Sequence, residues 1–178
     1  MTALSVNINK VALIRNSRKG ENPNLIEYAS ACINAGADGI TVHPRPDQRH
    51  VKPSDLPGLK DLINKHTNIE FNIEGNPFEE AKDDYLGLLE LVKRSRPHQC
   101  TLVPDSTDQL NSDHGFDLNK NQEKVYKVVR ELRAHGVRSS LFLDPDLALS
   151  LIHISEPTRP ERIAYAGVWF KKKKGGGG

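Results

Sequence analysis

Two hydrophobic periods alternate along the first 143 residues of the chain. Residues 3–9 (ALSVNIN) predict a short buried strand that turns polar at its end. Pro23 and Asn24 then open a stretch with Leu25, Ile26, Tyr28, Ala29, Cys32 and Ile33 at helical spacing, closed by Gly36. The β-branched run Gly39–His43 reads as a central strand, and Ser54 and Asp55 start a helix reaching about Lys65. Ile69–Ile73, Gln99–Val103 and Ser139–Leu143 are further strands. Between them the pattern predicts a long amphipathic helix over Pro77–Lys93, with Leu86, Leu88, Leu89 and Val92 inward, and another over Asn119–His135.

Strands alternating with helices of this length imply βαβ units and a parallel α/β sheet. An open doubly wound sheet and a closed (β/α)8 TIM barrel both meet that description. No G-x-G-x-x-G follows the first strand and no G-x-x-x-x-G-K-[ST] occurs, which disfavours dinucleotide and P-loop sites. Polar residues instead gather where several strands end: Asn7 and Asn9, His43 and Arg45, Glu70 and Asn72, Pro104 and Asp105, Asp144. A barrel builds its site at that face from many strands. The expectation is a truncated barrel with five of eight βα units, its interior lined by Val6, Ile8, Ile40, Val42, Ile69, Phe71, Leu102, Leu141 and Leu143.

The 178 residues suffice for one domain with a real core, and 37% apolar residues with a mean hydropathy of −0.56 fit a soluble globular protein. No apolar run approaches membrane-spanning length, and MTALSVNINK lacks the pattern of a secretory leader. Cys32 and Cys100 suggest neither a zinc site nor a disulfide framework, so a reducing, cytoplasmic setting is expected. The net charge of +2 is set by the end of the chain, because residues 149–178 hold six basic and two acidic side chains. Without them the balance is 19 basic to 21 acidic, which offers no footprint for nucleic acid.

His43 is the sharpest chemical position. It ends a strand and is followed by Pro44, Arg45, Asp47, Arg49 and His50. A strand-end histidine suits acid–base work near neutral pH, and cationic donors beside it suit a phosphorylated substrate. Glu70 sits between Ile69 and Phe71, where burial would raise its pKa and equip it for proton transfer. Glu74 shares its face and is the rival. Asn7, Asn9 and Lys10 end the first strand, with Arg15 and Arg18 in the loop beyond, and read as ligand contacts. His98, His114 and His135 have no metal-ligand spacing and read as structural or exposed; Cys100 reads as a small buried hydrophobe.

VNINKVALIRNSR at 6–18, GADGITVHPRPDQRH at 36–50, NIEFNIE at 68–74 and LVPDSTDQL at 102–110 together resemble the pyridoxine 5′-phosphate synthase family, over essentially all of 1–148. The resemblance implies a (β/α)8 barrel, a cytoplasmic homo-octamer, and no metal or organic cofactor. It implies condensation of 1-deoxy-D-xylulose 5-phosphate with 3-amino-2-oxopropyl phosphate, closing vitamin B6 synthesis with release of phosphate and water. Its partners are small phosphorylated substrates, not nucleic acid or membrane. It assigns proton acceptance to His43 and Glu70, amino-ketone phosphate contacts to Asn7 and Arg18, and sugar phosphate contacts to Asn9, Lys10, Arg45 and His50. Asn9 and Lys10 stand where the family often has Asp and His, and Asn111 where it commonly has threonine.

LSLIHISEPTR at 149–159 resembles the conceptual translation of a sequencing-library adapter, and the chain ends in four lysines and four glycines. The resemblance divides the chain into a synthase portion at 1–148 and a non-native, disordered tail at 149–178. It also leaves an alternative: a truncated fragment of that enzyme with no activity of its own.

Overall fold

The computed structural model describes residues 3–18, 20–105 and 114–144. Asn111 and the tail at 149–178 lie outside the described residues. Strands β1 (Ser5–Asn7), β2 (Gly39–Val42), β3 (Glu70–Gly75), β4 (Gln99–Leu102) and β5 (Arg138–Leu141) form one sheet. All four pairings are parallel, with Val6 beside Ile40, Ile40 beside Phe71, Ile73 beside Cys100 and Leu102 beside Leu141. The spatial order is β1-β2-β3-β4-β5. A doubly wound sheet reverses its order partway, whereas a barrel adds strands in sequence, so the arrangement is that of a (β/α) barrel.

Helices α1 (Asn9–Asn16), α2 (Leu25–Asn34), α3 (Leu56–Ile63), α4 (Leu88–Ser95) and α5 (Leu118–Ala134) fill the connections. The Asn24 side chain caps α2 by accepting from Ile26 N and Glu27 N, and Asp117 caps α5 by accepting from Asn119 N. Two expectations fail here. The residues after the first strand are not a loop: α1 begins at Asn9 with no side-chain cap, so no start signal precedes it. Pro77–Lys93 is not one helix, because Gly87, at φ 86° and ψ 151°, adopts a conformation open essentially to glycine alone. Only α4 remains helical, Leu86 is exposed, and Tyr85 turns into the core through a bridge with Lys82.

The sheet has one apolar and one polar face. Ile8, Ile40, Val42, Phe71, Ile73, Cys100 and Leu102 share a core with helix residues such as Leu25, Leu59, Leu91, Val128 and Leu132. The apolar strand residues therefore lie under the helices and do not line the interior, contrary to expectation. The opposite face carries a ladder of side-chain hydrogen bonds. Ser5 Oγ meets Thr41 Oγ1 at 2.8 Å, Asn72 Nδ2 donates to Thr41 Oγ1 at 3.2 Å, and Thr101 Oγ1 donates to Asn72 Oδ1 at 3.0 Å. Strand periodicity reveals two faces but not which one a second layer covers.

Candidate active site

The carboxyl ends of β1 to β4 converge on His43. Its backbone N–H donates to Asn9 Oδ1 at 2.7 Å, so the first residue of α1 fixes the exit of β2. The His43 ring presents Nδ1 to Glu74 Oε1 at 3.4 Å, with both side chains largely buried. That places a carboxylate where it can hold the ring or exchange a proton with it. Asn7 Oδ1 accepts from Asn9 N at 2.9 Å and so helps turn the chain from β1 into α1.

Arg45 is 3% exposed, and its guanidinium lies 3.5 Å from Asp105 Oδ2 and 4.0 Å from Asp47 Oδ2. Buried guanidinium and carboxylate make each other tolerable, and the pairing holds the cation in place. Asn76 Nδ2 donates to Asp105 O at 2.7 Å, tying β3's exit to that of β4. A small, partly open cavity of about 10 Å³ lies among His43, Arg45, Asn76, Glu79, Tyr85 and Asp105. It has room for about one water. Burial pushes the Tyr85 hydroxyl up, with the Glu79 charge adding to the effect, so the phenol stays protonated.

His50 is buried with its ring 6.3 Å from that of His43 in an edge-on arrangement. Burial, followed by the charges of His43, Arg49 and Arg45, lowers its pKa to about 4. His50 is therefore a neutral imidazole at pH 7, not a cationic donor.

Glu70 departs furthest from expectation. It opens β3 instead of ending it, about 13 Å along the strand from Glu74. It is exposed and paired with Arg138, whose Nη1 lies 3.1 Å from Glu70 Oε1 and whose Nη2 contacts Oε2. Arg138 hydrogen-bonds the carboxylate and lowers its pKa, opposite to the expected rise. His43 thus meets Glu74, not Glu70.

The other expected contacts are dispersed. Lys10 is exposed on α1. Arg15, expected in a loop, sits in α1 and is paired with Asp55 at 2.7 Å. Arg18 is exposed on a groove of about 360 Å³ that also touches Arg15, Asn24, Lys52 and Asp55 and shares no lining residue with the His43 cavity. Sequence reasoning missed Asn76, Glu79 and Tyr85, which the β3–α4 segment delivers to the cavity; Pro77 and Gly87 were the available signs that this segment is no helix. Among the described residues no group of three or more His, Cys, Asp or Glu is arranged to hold a metal ion, and no helix is long and apolar enough to cross a membrane.

A family profile described as "Pyridoxal phosphate biosynthesis protein PdxJ" matches residues 4–170. "Pyridoxine 5'-phosphate synthase" of Xanthomonas axonopodis pv. citri (strain 306) is 51% identical over 150 residues, which cover 83% of this chain and 58% of the relative. The protein of the same name from Xylella fastidiosa (strain M12) is 52% identical over 143 residues, covering 80% and 55%. The chain thus spans little more than half the length of these curated relatives.

Proposed function

The chain belongs to the PdxJ family of pyridoxal phosphate biosynthesis proteins, and from that membership we propose that the full-length protein is a pyridoxine 5′-phosphate synthase. It condenses 1-deoxy-D-xylulose 5-phosphate with 3-amino-2-oxopropyl phosphate, releasing phosphate and water. The observation that carries the reading is the meeting of His43 with Glu74 beside the Arg45–Asp105 pair at the carboxyl ends of the strands. Joining an amine to a ketone, dehydrating and closing a ring requires repeated proton transfers, which a histidine and a carboxylate supply. Two phosphorylated substrates require fixed donors, and a preset guanidinium is suited to that task.

In this reading Arg45 and His50 contact the sugar phosphate with Asn9, Lys10 and Asn111, while Asn7 and Arg18 contact the amino-ketone phosphate. His43 moves protons beside Glu74, and Glu70 keeps the acceptor role that the family resemblance assigns to it. The protein works in the cytoplasm as a homo-octamer, without metal or organic cofactor. Residues 1–148 are its synthase portion, and 149–178 are a non-native tail on the strength of their adapter-like sequence. The genomic reading frame past Ala148 decides that boundary.

The full-length protein, incubated with both substrates and a chelator, should form pyridoxine 5′-phosphate and inorganic phosphate in equal amounts. Inertness overturns the proposed activity, and recovery only with a divalent ion overturns the metal-free mechanism.

A further inference from the structure

We propose that Asn16 is a positioning residue, clamping the segment between β2 and α3 so that Arg45 and His50 stand ready for the sugar phosphate; the role rests on the synthase reading above. The Asn16 Nδ2 lies 3.2 Å from Gln48 O, 3.1 Å from Arg49 O and 2.6 Å from His50 O. A primary amide has two hydrogens. One goes to His50 O, the shortest contact, and the other is shared by Gln48 O and Arg49 O. The amide's own oxygen fixes this orientation, because Arg15 Nε donates to Asn16 Oδ1 at 3.1 Å. Turned over, the amide would set its oxygen against three carbonyls and its NH2 against a guanidinium.

The local backbone explains why a donor is needed. Gln48 has φ 53°, a left-handed conformation costly for a residue with a Cβ. Three consecutive carbonyl dipoles converge there and repel one another unless a donor sits at their focus. A second latch grips the same segment further on. Arg15 Nη1 and Nη2 donate to Asp55 Oδ1 and Oδ2 at 2.7 and 2.8 Å, and Asp55 Oδ2 accepts from Lys52 N at 2.8 Å. Two consecutive residues in the last turn of α1 therefore hold both ends of 48–55. Neither lines the His43 cavity. Their influence on the site passes through the backbone that carries His50 and follows Arg45.

The test is Asn16→Asp in the full-length protein, an isosteric change that replaces the donating NH2 with an oxygen. Hydrogen exchange reads the clamp directly, because Gln48 N and Lys52 N are hydrogen-bonded within the segment. The expected result is exchange about tenfold faster across 47–52, the scale of one lost hydrogen bond with acceptors left unpaired, with rates in β2–β4 unchanged. The KM for 1-deoxy-D-xylulose 5-phosphate should rise about tenfold while kcat stays within about threefold. Unchanged exchange at 47–52 overturns the clamp. Faster exchange there with an unchanged KM overturns its service to the substrate, and faster exchange throughout the protein reduces Asn16 to general stability. If the Asp variant does not fold, Asn16→Ala, which adds no repelling oxygen, is read in the same two ways. A wild type without synthase activity overturns the functional reading alone, and the exchange comparison still decides the clamp.

Discussion

His43 and His50 face each other across 6.3 Å, yet their partners differ. His43 meets a carboxylate, whereas His50 Nδ1 finds no hydrogen-bond partner among the described residues and the ring is held neutral to about pH 4, chiefly by burial. An unfolded histidine takes up its proton near pH 6.5, so below that pH the unfolded chain binds a proton that the folded protein refuses. Stability from this residue is intact above pH 6.5 and lost as pH falls towards 4. His50→Gln should therefore flatten the dependence of the urea midpoint on pH across that window, and equal slopes for both proteins would contradict the assignment. The carboxylates divide differently. As acid–base residues, His43 and Glu70 predict losses in turnover of roughly 10²-fold on His43→Ala and Glu70→Gln. Geometry adds Glu74→Gln, expected to lower turnover comparably by stripping His43 of its partner. A loss under about threefold at Glu70 beside a large one at Glu74 hands the acceptor role to Glu74.

At the scale of elements, Gly87 sets where α4 begins. Its φ of 86° and ψ of 151° lie where a Cβ is strained, although space is open, with Glu79 O the nearest atom at 3.9 Å. Gly87→Ala should cost about 1–3 kcal/mol in chemical denaturation, and no loss of stability would show that this turn adapts freely. The same glycine explains part of what the sequence conceals. Five strands and four helices are legible because β-branched runs and 3.6-residue spacing are local properties, and Asn24 and Asp117 announce two helices by their caps. Helix α1 is hidden because Ile8 stands at its cap position and the side chain of Asn9 is turned to His43. The site shows the same division. His43, Arg45 and His50 fall within one short motif and are visible together. Asn16 acts on carbonyls 32–34 residues away, and Tyr85 reaches its cavity through a turn, so no periodicity points to either. Glu70 misleads for a related reason: its flanking apolar residues face the helices, while its own side chain lies on the polar face and meets Arg138 from β5.

Over the whole molecule, the polar face of the sheet sets the condition for activity. Thr41, Asn72 and Thr101 bond one another across three strands, continuing through Gln99 to Arg138 and Glu70. A closed barrel encloses such a face, and closure is also what removes free strand edges. Among the described residues β1 pairs only with β2 and β5 only with β4, so each leaves one edge open. Parallel sheets are ordinarily covered on both sides, and here the helix-packed core supplies one side. Domain stability is only about 5–15 kcal/mol, a margin that two free strand edges readily consume. The 178-residue chain expressed alone should therefore lack synthase activity and either self-associate through those edges or populate a loosely packed state. Sedimentation velocity and thermal melting decide the point. A soluble monomer with a sharp cooperative transition would show that five strands packed on one layer of helices suffice to fold, and turnover by that monomer would show that the residues around His43 need no further part of the barrel.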